Sequence, residues 1–215
     1  MKRLAVLLLG LLCAIAAQAQ SGTYSSRNSA LKGLTSQDEV HRVEAVAWIA
    51  SHGTQADTKA LVQRLADESP VVRYAAEQGL WLLWTRSDDK GISALMAKGI
   101  AEMQAHALKD AIATFSEIIK RKPMFAEGWN KRATALFLAG EFRKSLADCA
   151  QVMKRNPYHF GALAGYGQIY FQLDEYGKAI EYWKRALKVN PNMTNIEINI
   201  KAAEQMLAES RRQAA

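Results

Sequence analysis

Catalysis would need a few residue types at fixed spacings, and this chain does not assemble them. The four histidines, His41, His52, His106 and His159, form no H-x-x-x-H or H-E-x-x-H arrangement, so no helix offers the imidazole pair of a zinc site. There is no G-x-S-x-G elbow, Walker loop or G-x-G-x-x-G turn. Gly165-Tyr166-Gly167 comes nearest to a glycine-rich loop, but it falls inside a helical pattern, where small residues serve close packing. Asp88-Asp89 with Glu102 could be drawn as paired carboxylates, yet their linker placement suits helix capping. Trp81 and Trp84, at helical spacing, could stack on sugars in a glycan-binding or glycan-processing cleft, or pack against a neighbouring helix. Lys120-Arg121-Lys122 and Lys184-Arg185 are basic patches at helix ends or outer faces, where cations complement the helix dipole. The expectation is a chain with no catalytic residue, no metal ligand set and no cofactor.

The N-terminus bears on compartment. Lys2 and Arg3 precede an apolar run from Leu4 to Ala17, and Ala17-Gln18-Ala19 offers small residues for a signal peptidase. That order predicts a secretory signal peptide over residues 1–19, cleaved after about Ala19, and a periplasmic mature chain. A retained anchor is the competing reading, but a span needs roughly 20 apolar residues and this run is shorter. Cys13 could suggest a lipoprotein, although the Leu12 before it is too large for that peptidase. Removing the signal takes Lys2 and Arg3 from a net charge of +7, leaving +5, and leaves Cys149 without an internal disulfide partner. The basic balance favours anionic partners, lipid headgroups or cell-wall polymer, over nucleic acid, with membrane contact peripheral or through an uncleaved signal. Oligomeric state is not legible.

Positioning is dominated by two periods. Pro123, Pro157 and Pro191 recur every 34 residues. In phase with them stand small residues Gly99, Ala133 and Gly167, then Ala111, Ser145 and Ala179, then large or soft Phe115, Cys149 and Trp183. Small positions allow two helices to approach closely, and the larger residue fills the space beside them. Each proline ends a helix, and Gly140 sits where a turn between helices belongs.

These positions resemble the tetratricopeptide repeat, with units starting at Ile92, Ala126 and Phe160. The first departs from the pattern at Lys98 and Glu102. Residues 92–191 then hold three such repeats, and residues 192–211 a capping helix with Ile196, Ile200, Ala203 and Leu207 on its inner stripe. Upstream, Arg42-Val43-Glu44-Ala45 and Arg73-Tyr74-Ala75-Ala76 lie 31 apart, and Asp67 to Leu80 is similar to a HEAT repeat, so residues 37–86 are read as HEAT-like helices, with a non-repeating helical hairpin as the alternative. There Asp38 and Ser69 are expected caps, and Val40, Val43, Val46 and Ala50 an apolar face. Residues 20–36, rich in Ser, Gly and Asn, read as a flexible leader. The fold class is all-α, an α-solenoid of HEAT-like helices, three tetratricopeptide helix pairs and a cap.

The resemblance implies that the first helix of each pair lines a concave groove that binds a protein or peptide segment. Mapped onto this chain, the groove residues are Met96, Ile100, Met103, Asn130, Lys131, Thr134, Phe137, Gln168, Phe171 and Asn199. The family's clamp for a terminal carboxylate is missing, because Met96, Ile100, Gly161 and Gly165 occupy its Lys, Asn and Arg places. An adaptor or scaffold of the bacterial envelope is the function implied, with apolar anchors of a peptide as its ligand.

Overall fold

The structure, a computed structural model, describes residues 23–213. The expected signal peptide, with Lys2, Arg3 and Cys13, lies outside the described residues. All regular elements among the described residues are helical, and they divide into two compact units at Thr85/Arg86. None of these helices is long and apolar enough to cross a membrane.

The first unit holds α1 (Arg27–Gly33), α2 (Glu39–His52), a 3-10 turn (Gln55–Asp57), α3 (Thr58–Arg64) and α4 (Pro70–Thr85). The presence of α1 corrects, over residues 27–33, the reading of 20–36 as a flexible leader. Ser26 and Ser29 close a reciprocal cap, each hydroxyl accepting from the other's backbone N–H at 3.2 and 3.1 Å. The helix is too short to show a period, and its Ala30 is buried where α1 packs on α2.

Asp38 caps α2, accepting from the N–H groups of Val40 (2.7 Å) and His41 (3.2 Å). Val46 and Ala50 are buried as expected, but Val40 is 61% exposed. The buried face is turned toward Arg42, Ala45 and Ile49, because the Arg42 guanidinium reaches inward to Asp67 at 3.0 Å. Ser69 caps α4 through Val71 (3.1 Å) and Val72 (3.3 Å), with Pro70 in the first turn. The 31-residue spacing reappears as repeated bonding. Arg42 donates to the carbonyls of Ser36 (2.9 Å) and Gln37 (3.1 Å), and Arg73 does the same to Asp67 (2.9 Å) and Glu68 (3.1 Å).

The second unit runs α5 (Lys90–Gln104), α6 (Leu108–Arg121), α7 (Ala126–Leu138), α8 (Phe142–Arg155), α9 (Phe160–Gln172), α10 (Tyr176–Val189) and α11 (Thr194–Gln213). Asp89 starts it by capping α5 through Gly91 (2.7 Å) and Ile92 (3.1 Å), the role expected of the Asp88-Asp89 pair. The helices pack as three antiparallel pairs, α5/α6, α7/α8 and α9/α10, with α11 closing against α10. Each pair is set by the small-against-large contact. A Cβ on Gly99 would lie 2.5 Å from Phe115, and one on Gly167 would lie 2.3 Å from Trp183. Where Ala133 replaces glycine, the facing residue shrinks to Cys149, and both are buried.

The turns within the pairs are equally regular. His106, Gly140 and Asp174, each 34 residues apart, have φ of 57°, 75° and 58°. Behind each runs the same six-to-one backbone bond, Ala107 to Glu102 (2.9 Å), Glu141 to Leu136 (2.8 Å) and Glu175 to Tyr170 (2.9 Å). Within this unit the first helices, α5, α7 and α9, approach one another more closely than α6, α8 and α10 do. The first helices therefore line the inner side of the unit and the second helices its outer side.

Candidate functional site

The inner wall of the second unit is built from the exposed and half-buried faces of α5, α7 and α9. On α7, Asn130 and Lys131 both turn to one carboxylate. The Asn130 amide donates to Glu127 Oε1 at 3.1 Å, and the Lys131 ammonium lies 3.2 Å from the same oxygen. Thr134, a turn later, is exposed and donates to the Asn130 carbonyl at 3.0 Å. Phe137 is half-buried, its ring 5.6 Å from Phe142 of α8. On α9, Phe171 packs beside Tyr176 (5.4 Å) and Trp183 (5.8 Å), while Gln168 is half-buried. Asn199 stands half-buried on α11.

On α5 the placement differs from the sequence reading. Met96 is only 6% exposed, enclosed with Ile92, Phe115 and Phe125, so it supports the wall and offers little surface. Ile100 and Met103 are partly buried against the same cluster. Lys98 and Glu102, which break the repeat pattern, have a structural use: Glu102 accepts from the Thr114 hydroxyl of α6 at 2.7 Å and pairs with Lys98 at 3.5 Å. A polar bridge thus stands where an aromatic contact joins the helices of the third pair.

Beneath the wall lies a pair that motif reading did not single out. Glu127 of α7 and His159, both side chains fully enclosed, meet at 3.0 Å between Oε2 and Nε2. His159 Nδ1 accepts from the Ala162 N–H at 3.1 Å, capping α9, so the Nε2 proton is the one donated to Glu127. Burial opposes ionisation of Glu127, but the hydrogen bond from His159, the Lys131 charge and the hydrogen bond from Asn130 outweigh it and hold the carboxyl below its usual range. Both imidazole nitrogens are engaged within the fold, so this pair is arranged to join α7 to α9, and its geometry leaves no basic nitrogen for a substrate. The 34-residue register could have found it, since the residue before one inner helix faces the start of the preceding one.

The other residues with possible chemistry are likewise held in the packing. Burial, then the Asp148 charge, pushes the Cys149 thiol up to about 12, far from a thiolate at neutral pH. Trp84 is buried and its indole N–H donates to Thr58 at 3.2 Å, with Trp81 edge-on at 5.5 Å. Trp84 thus belongs to the core of the first unit and Trp81 is half-buried beside it, so the two rings do not present a shared open face to a sugar. No group of three or more His, Cys, Asp or Glu able to hold a metal occurs among the described residues.

One inner-wall residue has space where packing does not require it. A Cβ on Gly165 would meet a single neighbour, Cys149 Sγ, at an ordinary 3.9 Å. Gly165 sits mid-helix with half-buried Gly161 and Ala164 on α9. The inner wall is therefore low at α9, bounded by aromatic rings at its far end, and its Lys131 charge is already answered.

Residues 96–159 and 163–193 match family models of the tetratricopeptide repeat, so these segments carry that repeat. A TPR repeat-containing protein of Rhizobium etli is 33% identical over 133 residues, 60% of this chain and 64% of the relative. The match thus spans less than two thirds of that relative's length. Hsp70-Hsp90 organizing protein 1 of Glycine max is 27% identical over 44% of this chain and 17% of its own. Among solved structures, the first TPR of Spaghetti (RPAP3), bound to an HSP90 peptide, superposes with a TM-score of 0.54 at 22% identity, covering 56% of this chain and 96% of that one.

Proposed function

We propose that this chain, with tetratricopeptide repeats as its second unit, is a non-catalytic adaptor of the bacterial envelope whose inner wall holds a peptide or protein segment. The observation that carries the reading is Gly165. Glycine inside a helix costs about 1 kcal/mol relative to alanine, and here no close contact compels it. Room left on the inner wall at a cost in helix stability suits an inserted side chain of a partner.

The chemistry of that wall defines the ligand. Lys131 is paired with Glu127, and Gly161 and Gly165 hold the places of basic residues, so a terminal carboxylate would find no clamp. Gln168, Asn199 and Thr134 can bond a peptide backbone, while Phe137 and Phe171 flank apolar side chains. The first unit, with its repeated Arg-to-carbonyl bonding, is read as the HEAT-like support. Export rests on the pattern of residues 1–19.

The test follows from Gly165. Gly165→Leu places a side chain in the open space and should abolish cross-linking of envelope proteins to the groove, while Gly165→Ala retains it. Equal partner capture by the wild type and Gly165→Leu, with the fold intact by circular dichroism, would refute the groove as the binding face.

A further inference from the structure

The outer side of the second unit carries its own periodic pattern. Positions 18, 22, 25 and 29 of each repeat fall on one face of α6, α8 and α10. Position 18 is Lys109, Arg143 and Gly177, and position 29 is Lys120, Lys154 and Lys188. All six are exposed. Between the ends stand small residues on α6 and α8, Ala113 and Ser116, then Ala147 and Ala150. On α10 the middle is Glu181, answered by Arg185 at 3.8 Å, and Lys184, which lies 3.8 Å from Glu204.

Helix-dipole complementarity explains only three of these five cations. Lys120, Lys154 and Lys188 are near C-terminal ends, where cations are favourable. Lys109 and Arg143 lie in the first turn of α6 and α8, where the N-terminal N–H groups disfavour a cation. Nor do ion pairs hold them. Among the described residues, no carboxylate lies within ion-pairing distance of Lys109, Arg143, Lys154 or Lys188, and Glu117 beside Lys120 is bonded to Arg121 at 2.7 Å. The cations at the two ends of α6 and of α8 are 11 residues apart, roughly 16 Å along the axis.

We infer that this outer face is a docking surface for an anionic lipid bilayer. Charge complementarity selects an anionic partner, and cations spread over three outer helices suit one that presents many headgroups at once. On α6 and α8 cations stand at both ends with only small side chains between them, so headgroups can approach both ends together. No aromatic side chain occupies any of these positions, which removes the stacking platform that a single-stranded nucleic acid uses. Attraction of this kind adds up over several lysines and arginines and weakens as salt screens it.

The experiment is flotation of the full chain with vesicles of phosphatidylcholine alone or mixed with phosphatidylglycerol, at low and high salt. Binding to the mixed vesicles, lost at high salt, is expected. The quadruple variant Lys109→Gln, Arg143→Gln, Lys154→Gln and Lys188→Gln should weaken it by at least about ten-fold. A control removing four cations elsewhere, Lys32→Gln, Lys59→Gln, Lys201→Gln and Arg211→Gln, should retain most of it. Phosphatidylcholine vesicles report any insertion of the apolar residues 4–17. Equal loss in both variants, unchanged binding by the outer-face variant with its helicity retained, or tighter capture of an oligonucleotide at matched phosphate concentration would each overturn the inference.

Discussion

At the residue scale, the two glycines of α9 sit two positions apart and predict opposite outcomes. Gly167 faces Trp183 so closely that an added Cβ must displace the indole. Gly167→Ala should destabilise the protein by about 1–3 kcal/mol in urea unfolding. Gly165→Ala meets only Cys149 Sγ and should stabilise it by about 0.5–1 kcal/mol through helix propensity. Glu127 gives a third test. Its carboxyl is held below the usual range, so its stabilising contribution is complete above the unfolded value of about 4.3 and is lost as pH falls through the folded value. Acid unfolding of Glu127→Gln should therefore show a shallower loss of stability in that window than the wild type. Glu127→Ala strands the enclosed His159 N–H and should cost about 1–3 kcal/mol at neutral pH.

At the element scale, the three helix pairs solve one packing problem with different chemistry. Positions 7 and 23 of the register, joined by position 11 in the first and third pairs, bridge the helices of each pair. Lys98, Glu102 and Thr114 do so by an ion pair and a hydrogen bond. Arg132 does so by a two-point bond to Asp148 at 2.7 Å. Tyr166, Tyr170 and Tyr182 do so by stacking at 4.4–6.2 Å. The departure of the first repeat from its family pattern is thus a substitution of one bridge for another. The turns are more uniform, and they make a prediction of their own. His106 adopts a left-handed conformation that glycine reaches freely, so His106→Gly should raise stability by about 0.5–1 kcal/mol, and Gly140→Ala should lower it by about 1 kcal/mol, each read from thermal unfolding.

At the scale of the whole molecule, each unit has a separate core. Ile49, Leu61, Leu65, Leu80 and Trp84 are buried in the first, and Phe115, Phe160, Ile169 and Trp183 in the second. A fragment of residues 86–213 should therefore unfold cooperatively by itself, as followed by circular dichroism. The proposed export is checked by the mass of the secreted chain, which should begin near Gln20 if the signal is removed.

Local rules made much of this fold legible. Prolines every 34 residues, small residues facing large ones, and the caps Asp38 and Ser69 act through sterics and hydrogen bonds within a few residues or one helix pair. The candidate groove was legible only in part, because a register assigns a residue to a helix face without saying how deeply that face is buried. Met96 went into the core, and Lys131 was paired with the Glu127 carboxylate, which the fold encloses beside it. The seven-residue α1 was invisible because its stability comes from packing on α2. The Glu127–His159 pair joins residues 32 apart, and neither could be enclosed until α7 and α9 stacked and supplied the bonds that offset desolvation. Sequence alone fixed the periods and the places of the turns. Tertiary structure decided which polar groups are enclosed and which faces stay open to a partner, because both depend on contacts that form only when the repeats stack.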